Sequence, residues 1–154
     1  MKYSMDTSAL IEGWYRRFPP DIVPGFWDNI DELIQNGNLK ATEEVLVELE
    51  KKDDVIHNWV KERENLFILI DEEIQFVVRE ILSNHKTLID SRRNRSSADP
   101  FVIALAKINS SIVITEELPT QSNNRPHIPD VCHALDIGYV NLIDLSRIEN
   151  WKFN

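Results

Sequence analysis

Cysteine is almost missing from this chain: Cys132 stands alone among 154 residues. No disulfide can close within the chain, so a reducing, cytoplasmic setting is the expectation. One cysteine and four scattered histidines (His57, His85, His127, His133) also fail to make zinc-ligand spacing, which leaves the Cys132-His133 pair to a structural or surface role. No window approaches the roughly 18 apolar residues of a membrane span. Met1-Lys2-Tyr3-Ser4-Met5-Asp6 meets an acid before any apolar stretch develops, unlike a signal peptide. Positive charge is not in excess either: the formal net charge is −9, which argues against holding nucleic acid by bulk electrostatics.

What is present fits one globular α/β unit over residues 1–154. Hydrophobic residues make up 42% and charged residues 28%, an ordinary globular mix that excludes global disorder. The charge is uneven. Residues 1–73 hold 17 acids and 8 bases, whereas 74–154 hold 9 of each. Within the second half, Ser91-Arg92-Arg93-Asn94-Arg95-Ser96-Ser97 carries three arginines and no acid, either a solvated loop or a local track for a phosphate chain.

Short apolar runs alternate with amphipathic stretches, the pattern of an α/β sheet domain. Strands are expected at Lys2–Met5, Leu39–Ala41, Ser111–Thr115 and Tyr139–Ile143, with Leu66–Ile70 open to either a strand or a helix segment. Helices are expected over Ser8–Arg17, Phe26–Gln35, from Thr42 as a cap, from Asp53-Asp54 through Val60, and over Glu72–Ser83. Further helices are expected over Phe101–Lys107 and Pro129–Ala134, with a terminal turn at Ser146–Trp151. Leu118–Ile128 reads as a polar loop. Trp14, Trp27, Trp59 and Trp151 read as core or interface anchors, and the faces around Trp14, Trp27 and Trp59 suit a homodimer contact or a partner segment.

In an open parallel sheet, ligands bind outside the carboxyl ends of the strands. Asp6 follows the first strand, Glu116 and Glu117 follow Ser111–Thr115, Asp99 opens a helix just before that strand, and Glu48 lies in the Thr42 helix. Taken singly, Asp99 before Pro100 and Asp6 before Thr7-Ser8 are ordinary helix caps, and Glu48 beside Glu44 is a surface acid. Taken together they are a set of carboxylates with no histidine or cysteine among them. Such oxygen-only sites suit Mg²⁺ or Mn²⁺, ions that assist phosphodiester hydrolysis.

Four segments carry a family resemblance. Tyr3-Ser4-Met5-Asp6-Thr7-Ser8-Ala9-Leu10-Ile11 resembles the opening of PIN-domain nucleases, and Thr42-Glu43-Glu44-Val45-Leu46-Val47-Glu48-Leu49 is similar to their second motif. Ser97-Ala98-Asp99-Pro100-Phe101-Val102-Ile103-Ala104-Leu105-Ala106 resembles the third motif most closely. Ile112-Val113-Ile114-Thr115-Glu116-Glu117 resembles the fourth, with Glu117 where the family usually has aspartate.

The resemblance implies a three-layer α/β/α domain with a central, mainly parallel sheet. It implies metal-dependent endoribonuclease activity of the VapC-toxin kind, with Mg²⁺ or Mn²⁺ at Asp6, Glu48, Asp99 and Glu117 and an antitoxin protein as partner. Thr7, Ser8 and Thr115 flank those acids and, with Arg92, Arg93 and Arg95, are the expected contacts to RNA. Asp130 is a reserve ligand if the longer Glu117 misplaces its carboxylate, although its place in a helix's first turn accounts for it as well. Two other readings compete: a non-catalytic PIN-like module that binds RNA or protein, and a receiver-type signalling domain. A receiver needs paired early acids and a late lysine after a strand, and here the first strand ends in a lone Asp6.

Overall fold

A computed structural model describes residues 1–88, 98–122, 124 and 126–153. Arg92, Arg93 and Arg95 fall outside the described residues. Five strands form one all-parallel sheet: β1 (Tyr3–Met5), β2 (Leu39–Thr42), β3 (Phe67–Ile68), β4 (Ile112–Ile114) and β5 (Tyr139–Val140), in the order β3-β2-β1-β4-β5. β1 is the central strand, in register with Leu39 on one side and Ile112 on the other through Tyr3. All three of its residues are buried, as a parallel strand covered on both faces requires. Both of its hydroxyls are engaged: Ser4 donates to the Val102 carbonyl at 2.8 Å and Tyr3 to Glu149 Oε2 at 2.6 Å.

The helices connecting these strands are α1 (Thr7–Glu12), α2 (Pro24–Gln35), α3 (Glu43–Lys52), α4 (Asp54–Lys61), α5 (Glu72–Asn84), α6 (Asp99–Asn109), α7 (Ile128–Ala134) and α8 (Leu142–Ile148). Right-handed crossovers fix where they lie. The steps from β1 to β2 to β3 move one way along the sheet, so α1 to α4 cover one face. The return from β3 to β4 and on to β5 moves the other way and puts α5, α6 and α7 on the opposite face. The direction reverses between β1 and β4. α6 is apolar nearly all round, with Val102, Ile103, Ala104, Leu105 and Ala106 all buried. Such a helix has no face for water, and it packs on β1, β2 and β4 as well as on α5 and α7. Among the described residues no helix is long and apolar enough to cross a membrane.

The expected elements need five adjustments. The helix from Ser8 to Arg17 is α1 followed by a π turn over Gly13–Arg17, closed by Phe18 N–H donating to the Gly13 carbonyl at 2.8 Å. Gly13 is the reason the backbone can come so close: a Cβ there would lie 2.8 Å from Leu142 Cδ1 and 3.3 Å from Trp27 Cζ2. The last strand stops at Val140 rather than Ile143, because Asn141 accepts from Asp144 N–H at 2.8 Å and caps α8, which takes up Leu142 and Ile143. The terminal turn placed at Ser146–Trp151 is therefore the end of a helix already begun, and it stops before Asn150, whose φ is 57°. Leu66–Ile70 contributes a two-residue strand, and Thr42 occupies the cap position of α3 without a side-chain capping bond.

The tryptophans pack on one another. Ring centroids of Trp14, Trp27 and Trp59 are 4.9 to 5.9 Å apart, Arg63 stacks over Trp59 at 3.7 Å, and Trp151 meets Phe26 edge-on.

Candidate active site

In an open parallel sheet, the reversal point, here between β1 and β4, is where a crevice forms at the carboxyl edge. Asp6 leaves β1 there, Glu117 follows β4, and Asp99 is the first residue of α6. The three place one carboxylate oxygen each within 4.8 Å of one another. Asp6 and Asp99 are 1% and 3% exposed, and Glu117 is half-buried. The added methylene of Glu117 thus does not keep its carboxylate away from the two aspartates.

Asp6 is held from two elements. Its N–H donates to the Ile114 carbonyl at 3.0 Å, extending the β1–β4 ladder by one bond. Its Oδ2 accepts from Ser8 Oγ at 2.5 Å and from Thr115 Oγ1 at 2.9 Å. Asp6 sits at the cap position of α1 but makes no side-chain capping bond, so its carboxylate serves the crevice. Burial is the largest influence on it and pushes its pKa up; the Ser8 and Thr115 hydroxyls pull it back, and the nearby Glu48 pushes it up again. Asp99 is likewise not a cap: Ala98 takes that position and Asp99 is already helical.

The remaining acids divide by role. Glu48 is 7% exposed, not a surface residue; it lies close enough to Asp6 to influence it and pairs with Lys52 at 3.3 Å, but it is not one of the three clustered carboxylates. Glu116 turns to the scaffold, accepting from Leu142 N–H at 3.0 Å and facing Arg17 Nε at 3.8 Å. Asp130 is occupied otherwise than as a reserve ligand. Its oxygens accept from the N–H groups of Thr120, Gln121 and His127 at 2.7 to 3.0 Å and from Thr120 Oγ1 at 2.8 Å. These bonds bring its pKa down to about 2 against the upward push of partial burial.

The family described as "Domain of unknown function (DUF4411)" matches residues 3–153. The chain belongs to the DUF4411 family. No curated protein matches it in sequence. Among solved structures, the crystal structure of FitAcB from Neisseria gonorrhoeae superposes with a TM-score of 0.54 at 20% identity, covering 93% of this chain and 99% of that one. At that identity the likeness concerns the fold, and the DUF4411 chain has a PIN-like α/β fold with an all-parallel five-stranded sheet.

Of the residues expected to touch substrate, this DUF4411 chain buries Thr7 and Thr115 at 2% and 1% exposure. Ser8 and Thr115 direct their hydroxyls to Asp6, and Ser8 Oγ also accepts Glu116 N–H at 3.1 Å. Reading from sequence missed His127. Its Nδ1 lies 2.9 Å from the Leu118 carbonyl, an acceptor only, so this nitrogen carries the proton and donates; it is 3.9 Å from Glu117 Oε1. Nothing in the spacing of the polar loop announces that contact.

The donor set fits a divalent cation. Three carboxylates brought this close, with a fourth near Asp6, repel one another unless a positive charge lies among them. Oxygen-only ligands are those that Mg²⁺ and Mn²⁺ take. Two buried hydroxyls, Thr7 Oγ1 at the start of α1 and Thr42 Oγ1 at the end of β2, also have no hydrogen-bond partner among the described residues.

Proposed function

We propose that this protein is a metal-dependent endoribonuclease that hydrolyses RNA phosphodiester bonds, with Asp6, Asp99 and Glu117 as the residues that hold Mg²⁺ or Mn²⁺. The observation that carries the reading is the convergence of these three carboxylates within 4.8 Å at the reversal point of a PIN-like sheet. A cation bound there would polarise a phosphoryl oxygen and lower the pKa of a water.

The chain's own residues do the positioning. Ser8 and Thr115 hold one oxygen of Asp6, the β1–β4 ladder fixes its backbone, and the first turn of α6 presents Asp99. Glu48, buried next to Asp6, adds negative charge that favours the cation. The acidic crevice suits a single-stranded or looped RNA, whose phosphates can be splayed into it. Arg92, Arg93 and Arg95 precede Asp99 in sequence and supply charge to guide that backbone. By the resemblance to VapC-type toxins, a small antitoxin protein is the partner that restrains this activity, in a cytoplasmic setting.

The test is cleavage of a mixed RNA substrate with Mn²⁺ or Mg²⁺, with chelator, and with Asp99→Asn. Metal-dependent cutting that disappears in the variant supports the nuclease. Absence of cutting by folded protein that still binds RNA transfers the reading to a non-catalytic module. Cutting that survives Asp99→Asn removes the assignment of the site.

A further inference from the structure

A concavity of about 630 Å³ is lined by the loop that follows Glu117 and by the first turns of α7, without Asp6, Asp99 or Glu117 among its walls. It falls within the ~300–1,000 Å³ typical of small-molecule sites. Three connections tie it to the triad. Glu117 and the lining residue Pro119 are two residues apart, so their Cα atoms are no more than about 7 Å from each other. His127 reaches from the start of α7 to the Leu118 carbonyl and approaches Glu117. On α7, the Cys132 thiol beside the lining residue His133 is pushed up to about 12, first by burial and then by Asp6 and Glu117.

The described walls exclude several ligand classes. Their one carboxylate, Asp130, spends both oxygens on the loop's own N–H groups, so it offers little to a cation. No lysine or arginine lines the cavity among the described residues, so those walls give a phosphate no fixed positive charge. What remains is neutral and of two kinds. Pro119, Pro126, Pro129 and the Tyr139 ring offer flat apolar surface. His85, Gln121, Ser122 and His133 offer imidazole, amide and hydroxyl groups that donate and accept, and Asn84, whose amide nitrogen donates to the Glu80 carbonyl at 3.1 Å, offers its Oδ1 as an acceptor. An apolar peptide side chain would displace water from those groups and return no hydrogen bond. A planar ring with a hydrogen-bonding edge satisfies both surfaces, and unstacked RNA bases are recognised by stacking and edge contacts of this kind.

We propose that this cavity is a base-recognition subsite: it takes the base of a nucleotide adjacent to the phosphodiester at the triad and thereby selects where the strand is cut. Its part in cleavage rests on the nuclease reading; its capacity to bind a base does not. The deciding experiment titrates the four uncharged ribonucleosides into the full chain with chelator present. The readout is the NMR signals of the histidine and tyrosine rings, for wild type, Asn84→Ala and Gln121→Ala.

The expected result is saturable movement of His85, His133 and Tyr139 signals by one or two of the four nucleosides, weakened about 3- to 10-fold in the variants. On a randomised RNA with Mn²⁺, the same variants lose base preference at one position relative to the cut. If no nucleoside moves those rings, or all four do so equally and the variants bind as wild type does, the subsite is overturned even if the protein cuts RNA. Selective nucleoside binding by a protein that cuts no RNA leaves the subsite standing and removes the nuclease reading instead.

Discussion

Asp6 is 1% exposed, accepts from two hydroxyls and shares its crevice with two other carboxylates and Glu48. A buried acid whose pKa is raised costs the fold free energy whenever it is ionised and uncompensated. Asp6→Asn removes that cost and keeps an oxygen for Ser8 and Thr115. In chelator at neutral pH, its melting temperature is expected to rise by several degrees, since ~1 kcal/mol moves a domain of this size by about 2–4 °C. A lower melting temperature in the variant would mean that the carboxylate is already compensated. Thr115→Val tests the clamp on Asp6: Mn²⁺ affinity, titrated by calorimetry, should fall about 10- to 100-fold, the usual loss when a ligand's orienting partner goes. The three clustered acids were legible in sequence because strand ends in a parallel sheet are few and Asp6, Asp99 and Glu117 stand at or beside them. Asp130 was half legible. Its place in a first helical turn was plain, but its work depends on loop N–H groups nine and ten residues earlier, and no periodicity reports where a loop folds back.

Among the elements, the π turn after α1 and the loop held by Asp130 each carry a prediction. Gly13→Ala ordinarily favours a helix by about 1 kcal/mol. Here the new methyl would overlap Leu142 Cδ1, and Leu142 is 1% exposed with the Trp27 ring closing the other side. Overpacking should win and destabilise the protein by about 1–3 kcal/mol in urea unfolding; a neutral variant would show that α8 can shift away. The Asp130 loop should titrate. Its folded value of about 2 lies below the ordinary ~3.9, so the stability it contributes is present above pH ~4 and is lost as pH falls through about 2. The stability gap between wild type and Asp130→Asn should therefore narrow between pH 4 and 2, followed by thermal melts. The element boundaries that sequence misplaced share a cause. Leu142 and Ile143 extend the apolar run of Tyr139-Val140, and only the capping role of Asn141 separates strand from helix; a π turn has no apolar period of its own.

For the molecule as a whole, the metal question becomes one of stability. Net charge is −9, and part of it is gathered in a buried crevice between the central strand and its neighbour. A cation that binds the folded state alone adds about 2.7 kcal/mol when free metal is 100 times its dissociation constant. Mn²⁺ should thus raise the melting temperature by roughly 5–10 °C. The rise should vanish in Asp99→Asn, and that measurement needs no substrate. The chain order has a further consequence. Glu116 and Glu117 are neighbours that part at the end of β4, one to α8 and Arg17, the other to the triad. One residue inserted between Glu116 and Glu117 would leave Glu116 on its scaffold contact and carry the Glu117 carboxylate one place past the triad. A change of length there should therefore cost the metal site while the scaffold contact of Glu116 stays, read as loss of the Mn²⁺-induced rise in melting temperature in a protein that still folds.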